Sequence, residues 1–160
     1  MSAWFQRFGF ATVGERLLLG AYPTDPHDVG LIAAQDVDAI FNLCEDREYG
    51  EGERDAVESA LERLGIEERR LPLVDYGGLD LDQLDSAVAA VGDWLAGGRT
   101  VYLHCRAGWQ RSATVAAAVV ARREGLDVQE ALRVVRLRRP SADPLPHQRD
   151  DLARWWSERG

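Results

Sequence analysis

Short apolar runs alternate along the chain with longer stretches at helical spacing. Arg16-Leu17-Leu18-Leu19-Gly20, closed by glycine and followed by a Tyr22-Pro23 turn, predicts a first strand. Val29, Leu31 and Ile32 predict a short helix between Asp25 and Gln35. Val37 to Cys44 predicts a second strand, which hands over to an acidic loop from Glu45 to Glu53. Ala56, Val57, Ala60, Leu61 and Leu64 recur at helical spacing, and Gly65 stands where such a helix would end. Ile66 to Leu73 predicts a third strand. Asp80 to Ala96 places Leu84, Val88, Val91 and Leu95 on one face and stops at Gly97-Gly98.

Residues 100–104 predict a buried strand, and 112–123 a buried helix ended by Gly125. Asp127, with Glu130 three residues on, predicts the start of a further helix to about Arg138. A proline-broken loop from Arg139 to Pro146 leads into a last helix, His147 to Glu158. Residues 1–15 hold Trp4, Phe5, Phe8 and Phe10 without a clear period and are expected to cover an edge of the core. Strands alternating with helices and ending in a helical tail predict one α/β domain over residues 1–160. Its expected centre is a mixed, mainly parallel sheet of four or five strands flanked by helices.

Composition changes this picture little. The 46% hydrophobic and 29% charged fractions are ordinary for a globular protein large enough to bury a core without staples. A formal charge of −8 argues against nucleic acid as a partner, although a pocket on an acidic protein can still be locally positive. All 19 basic side chains are arginine, which says nothing about function. Cys44 and Cys105 are too few for a disulfide scaffold, and no Cys/His cluster has zinc spacing, so neither metal nor cofactor is expected. The opening residues lack a secretory apolar segment and no run is long enough to span a bilayer, so a cytoplasmic location without a transmembrane segment is the expectation.

The candidate chemistry lies in His104-Cys105-Arg106-Ala107-Gly108-Trp109-Gln110-Arg111-Ser112, between the strand at 100–104 and the helix at 112. A cysteine at a strand end, five loop residues and an arginine at a helix start suit a tetrahedral dianion. The loop amides of Arg106 to Gln110 can curl inward as a nest, and the helix start adds its positive dipole end. Arg111 can grip two oxygens with its planar fork. The same field lowers the pKa of Cys105 toward the attacking thiolate.

His-Cys-x5-Arg-Ser resembles the signature of the cysteine-dependent protein tyrosine phosphatases, and the short chain resembles their dual-specificity branch from about Leu17 to Trp155. The resemblance implies a phosphatase fold and phosphomonoester hydrolysis through a phosphocysteine. Attack by thiolate expels an alkoxide or phenoxide that needs a proton, so an acid is required on another loop. Asp75, thirty residues before Cys105 and beside Gly77-Gly78, is the candidate. Asp80 and Asp82 are the alternatives, although both are better placed to start the next helix.

The resemblance also makes Ser112 the hydroxyl partner of the cysteine, a role compatible with capping the helix. His104 is expected to order the loop from beneath. Asn42 to Tyr49 is similar to a strand end in tensin-like phosphoinositide phosphatases, which implies that Cys44 pairs reversibly with Cys105; a small buried hydrophobe is the other reading. Pro146 to Arg149 is similar to a tensin-like pattern in which the glutamine, here Gln148, assists the hydrolytic water; an exposed helix start is its plain alternative. Arg139 either steers an anionic substrate or ties the tail by a salt bridge.

Val74 to Ala142 and Asp46-Arg47-Glu48-Tyr49 are also similar to phosphatases acting on phosphatidylglycerophosphate. Arg106 is the one basic residue inside the loop, whereas tensin-like enzymes carry two lysines there; Trp109 and Gln110 stand instead. Trp109 can wall the pocket, stack on a phosphotyrosine, touch lipid or simply pack the loop. The expected substrate is a phosphorylated protein, with a lipid or inositol phosphoester as the alternative. A non-catalytic phosphate module, a sulfurtransferase or an arsenate reductase is disfavoured by Asp75 and Ser112, because sulfur transfer needs no leaving-group acid.

Overall fold

The computed structural model describes Met1–Gly160. In chain order the elements are α1 (Ala3–Phe8), β1 (Phe10–Gly14), β2 (Leu17–Gly20), α2 (Pro26–Ala33), β3 (Ala39–Asn42), α3 (Glu53–Leu64), β4 (Glu67–Arg70), α4 (Leu81–Ala96), β5 (Val101–His104), α5 (Arg111–Glu124), α6 (Val128–Arg138) and α7 (Pro146–Arg159). One five-stranded sheet runs in the order β1-β2-β5-β3-β4. Only β1 is antiparallel to its neighbour; β2, β5, β3 and β4 run parallel.

Side chains of β2, β3 and β5 alternate between two cores, as the pleat requires. Leu17, Leu19, Ala39, Phe41, Val101 and Leu103 face the larger core, built with α4, α5, α6 and α7. Leu18, Ile40 and Tyr102 face the smaller one, under α2 and α3. Because both of their faces are covered, these three strands read as apolar runs, whereas the edge strand β4 is Glu67-Glu68-Arg69-Arg70 and is not buried. α5 is the central helix: every residue from Arg111 to Ala121 is buried, and its alanines let neighbouring helices approach closely.

Helix ends follow the sequence signals. Asp25, Asp80 and Asp127 each accept a first-turn backbone N–H, and Gly65 and Gly125 adopt the left-handed conformation at the ends of α3 and α5. The second and third predicted strands are shorter than expected at both ends, Ala39–Asn42 and Glu67–Arg70, although Leu71 and Leu73 still donate to the Asn42 and Leu43 carbonyls beyond them. The larger difference is at the N-terminus. Residues 1–15, which show no period, form α1 and the edge strand β1. Asp28, buried in α2, pins α1 by accepting from the Ser2 N–H at 2.8 Å and the Ser2 hydroxyl at 2.7 Å.

Candidate active site

The carboxyl ends of β2, β3 and β5 converge on one edge, the position at which parallel sheets bind ligands. Cys105 follows β5, the middle strand, and residues 106–110 connect it to α5. The loop's orientation can be read from where its carbonyls go. The Cys105 carbonyl accepts from His104 Nδ1 at 3.0 Å. The Arg106 carbonyl accepts from the Trp4 indole at 2.7 Å and from the Tyr22 N–H at 3.1 Å. Arg139 donates to the carbonyls of Ala107 at 2.9 Å and Gly108 at 3.0 Å, and Asp143 N–H to that of Trp109 at 2.7 Å. Gln110 carbonyl accepts from the Thr114 N–H and hydroxyl. Every carbonyl from 105 to 110 is thus taken from outside, and none of the amides of 106–110 donates to a backbone carbonyl. With the oxygens held outward, the amides form the concave face of an anion nest.

Gly108 shows why this loop tolerates one residue type there. Its φ is +72°, and a Cβ would lie 2.5 Å from the carbonyl carbon and oxygen of Gly20. The loop therefore rests directly on the end of β2, backbone against backbone.

Cys105 is buried, with Sγ 3.0 Å from the Ser112 hydroxyl. Burial alone pushes the thiol pKa up. The Arg111 guanidinium, the Ser112 hydroxyl and the N–H groups of Ser112 and Gly108 outweigh it, and the net shift is downward. Cys44 is the contrast: burial, then the charges of Glu48 and Cys105, hold it protonated well above the ordinary thiol range. Both cysteines are free. Cys44 Sγ lies 4.0 Å from His104 Nδ1, just past the end of β3, the strand next to the β5 that Cys105 follows. His104 is buried beneath the loop, and desolvation lowers its pKa to about 3, so it is a neutral donor to the Cys105 carbonyl.

Arg111 opens α5 and is 1% exposed. Nη1 donates to the Leu73 carbonyl at 2.9 Å and to Glu48 Oε2 at 2.9 Å, and Nη2 to Glu48 Oε1 at 2.6 Å. Asp75 Oδ1 stands 3.2 Å from Nη2. The buried Nε–H has no protein partner, and so is available to an anion. Glu48 ends a 3₁₀ turn, Asp46–Glu48, whose start it caps by accepting from the Glu45 N–H at 2.7 Å. Burial raises its pKa, but hydrogen bonds from Arg111 and Glu45 outweigh this and the carboxyl stays ionised to lower pH than usual.

A cavity of about 290 Å³ opens above Cys105. Arg106, Ala107, Trp109 and Gln110 form one side, Asp75 and Tyr76 another, and Trp4, Arg7 and Phe8 of α1 the third. The Arg106 guanidinium lies over the Trp4 ring at 4.8 Å, and Trp109 meets Phe8 edge to face at 5.1 Å.

The structure brings Cys105, Arg111, Asp75 and Ser112 together, with His104 underneath. Asp80 caps α4 through Gln83, and Asp82 sits in that helix's first turn, away from the cavity. Gln148 is not at an exposed helix start: it is buried, its amide accepts from the Leu145 N–H and donates to the Gly77 carbonyl, and it does not line the cavity. Arg139 neither reaches the cavity nor ties the tail by an ion pair; it is buried behind the loop, gripping its carbonyls. Sequence reasoning missed Glu48 as the arginine's partner and α1 as a pocket wall. The acidic loop held the first signal; nothing periodic marked the second.

Residues 17–158 match the family described as dual specificity phosphatase, catalytic domain. The chain belongs to the dual specificity phosphatase family. Among its relatives is human phosphatidylglycerophosphatase and protein-tyrosine phosphatase 1, 32% identical over 152 residues that span 93% of this chain and 71% of the relative. Human dual specificity phosphatase 28 is 34% identical over 83 residues, 51% of this chain and 47% of that protein. The crystal structure of Tk-PTP in the active form superposes with a TM-score of 0.81 at 26% identity, covering 93% of this chain and 97% of that one. PTPMT1 in complex with PI(5)P superposes at 0.79 and 25% identity, covering 93% and 95%. This dual specificity phosphatase is therefore a cysteine-dependent enzyme, and its fold is the phosphatase fold that the signature loop predicts.

Proposed function

We propose that the protein hydrolyses phosphomonoesters in two displacements through a phosphocysteine. The Cys105 thiolate attacks phosphorus; the bond from phosphorus to the ester oxygen breaks, and protonated Asp75 delivers its proton to the departing alcohol or phenol. Asp75, now a carboxylate, takes a proton from water as that water attacks phosphorus, and the sulfur leaves as thiolate beside the Ser112 hydroxyl. The amides of residues 106–110 and the Arg111 fork hold the phosphoryl oxygens throughout. The observation that carries this reading is the buried Cys105 sulfur, 3.0 Å from Ser112 and facing amides whose carbonyls are all tied away.

The substrate we favour is a phosphorylated protein, with phosphotyrosine seated between the aromatic walls of Trp4, Phe8 and Trp109. A lipid or inositol phosphoester is supported by a separate observation: Arg7 and Arg106 add positive charge at the mouth beyond that of Arg111, and neither has a carboxylate partner. One relative's name carries both activities. A cytoplasmic setting is in keeping with two reduced thiols. There, peroxide would oxidise Cys105 to a sulfenic acid, releasing hydroxide that leaves as water, and the Cys44 thiol would displace a second water to form a protective disulfide. Phosphopeptides, phosphoinositides and phosphatidylglycerophosphate assayed side by side with wild type and Cys105→Ser decide the substrate. Equal, unspecific rates that survive Cys105→Ser would overturn the mechanism.

A further inference from the structure

The acid loop is held by the last helix of the chain. Asp75 and Tyr76 are the central residues of a tight turn closed by the Gly77 N–H donating to the Val74 carbonyl at 2.9 Å. Tyr76, at its centre, takes the left-handed φ of +64°, a conformation that costs a non-glycine residue about 1 kcal/mol or more and persists only when its surroundings enforce it. Three side chains from the first two turns of α7 do the enforcing. His147 Nε2 lies 2.8 Å from the Tyr76 carbonyl. Gln148 Nε2 donates to the Gly77 carbonyl at 3.0 Å, and Asp151 Oδ2 accepts from the Leu79 N–H at 2.9 Å. Side chains of α7 thus engage three of the four residues after Asp75. A Cβ on Gly78, the fourth, would lie 2.6 Å from the same Asp151 oxygen, so the loop is seated against the helix without a gap.

None of the three lines the cavity, and Gln148 is fully buried with both ends of its amide engaged. They therefore have no route to the substrate except through the loop. We propose that the start of α7 is a dock that sets the reach of Asp75, with Gln148 as its principal positioning residue. The inference rests on the phosphatase reading, with Asp75 as the leaving-group acid. A proton donor must lie within hydrogen-bond reach of the departing oxygen, so releasing the loop weakens proton delivery and leaves the thiolate and its nest untouched.

Gln148→Glu tests this with little change of shape, because it keeps the acceptor for the Leu145 N–H and replaces the donor to Gly77 with a charge. His147→Ala is the second variant; that side chain is exposed and its loss cannot collapse the core. The readout is kcat against leaving-group pKa over a series of aryl and alkyl phosphates. The expected result is a loss of about 10-fold or more for phenyl and alkyl phosphates and less than about 3-fold for nitrophenyl phosphate, with His147→Ala weaker in the same direction. In an Asp75→Asn background, Gln148→Glu should add nothing. Equal losses for every leaving group, or a full multiplicative loss on top of Asp75→Asn, would assign these residues a merely structural part and overturn the proposal. Should Gln148→Glu fail to unfold cooperatively, the slope for His147→Ala decides alone. Failure of the phosphatase reading looks different: wild type then hydrolyses none of the series.

Discussion

Glu48 and Arg111 form a buried two-pronged ion pair, Nη1 to one carboxylate oxygen at 2.9 Å and Nη2 to the other at 2.6 Å. The pair fixes the plane of the guanidinium before any substrate arrives. It also fills both terminal nitrogens on one side, so that Nε–H stays uncommitted. Glu48→Ala would leave a buried cation without its partner, which costs about 3–5 kcal/mol. Thermal unfolding should show a clearly lower Tm, and vanadate, a phosphate mimic, should bind more weakly. An unchanged Tm would mean the pair is dispensable.

The two cysteines should differ sharply in reactivity. Cys105 is shifted toward thiolate and Cys44 away from it. Iodoacetamide at neutral pH is therefore expected to label Cys105 in the folded protein and inactivate it, while Cys44 stays unmodified by peptide mass spectrometry. Ser112→Ala removes one of the groups favouring the thiolate and should move the labelling profile to higher pH. Labelling of Cys44 first would contradict the electrostatics described.

Asp75→Asn should lower kcat by about 10² to 10⁴ for substrates with poor leaving groups, and much less for nitrophenyl phosphate. The comparison isolates proton donation from binding, since both substrates present the same phosphoryl group to Arg111. Losses of equal size would remove Asp75 from the acid's role.

His104 supplies a pH dependence of stability. Folded, its pKa is about 3 against an ordinary value of 6.5, because burial disfavours the charged ring. The unfolded chain binds this proton below pH 6.5 and the folded one does not. Its contribution is thus fully present above 6.5 and falls by about 1.4 kcal/mol per pH unit below it, toward pH 3. The lowered carboxyl of Glu48 adds a further loss in the same direction below about pH 4.5. Urea unfolding at pH 7.5, 6 and 5 should trace this fall in wild type. His104→Asn, which keeps a donor for the Cys105 carbonyl, should be less stable at pH 7.5 and flatter across the range. Parallel curves would exclude His104 as the source.

Most of the fold was legible because the three inner parallel strands are buried on both faces and the helices announce their ends. Asp80 and Asp127 cap as their spacing implies, and Gly125 stops α5. The nest was legible because its nine residues are contiguous. What escaped is long-range or short in extent. α1 has six residues, too few to show a period, and its Trp4 acts through a loop 102 positions away, whose carbonyl it ties and whose cavity it walls. Glu48 lies in a 3₁₀ turn whose acidity reads as solvation, yet its side chain is 6% exposed. Arg139 and Gln148 look like surface residues in a helical tail; each is buried because loop backbone groups elsewhere need a partner.

The meeting of Gly20 with Gly108 limits how such an enzyme can diversify. Where two main chains touch, neither position offers a side chain with which to shape selectivity: a methyl group on Gly108 would have to lift the cradle off its strand, and one on Gly20 would run into Phe10 and Tyr102. The floor is therefore common property of whatever phosphoester is accepted. Discrimination is left to the side chains of the perimeter (Trp4, Arg7, Tyr76 and Trp109), where replacements change the guest and spare the floor.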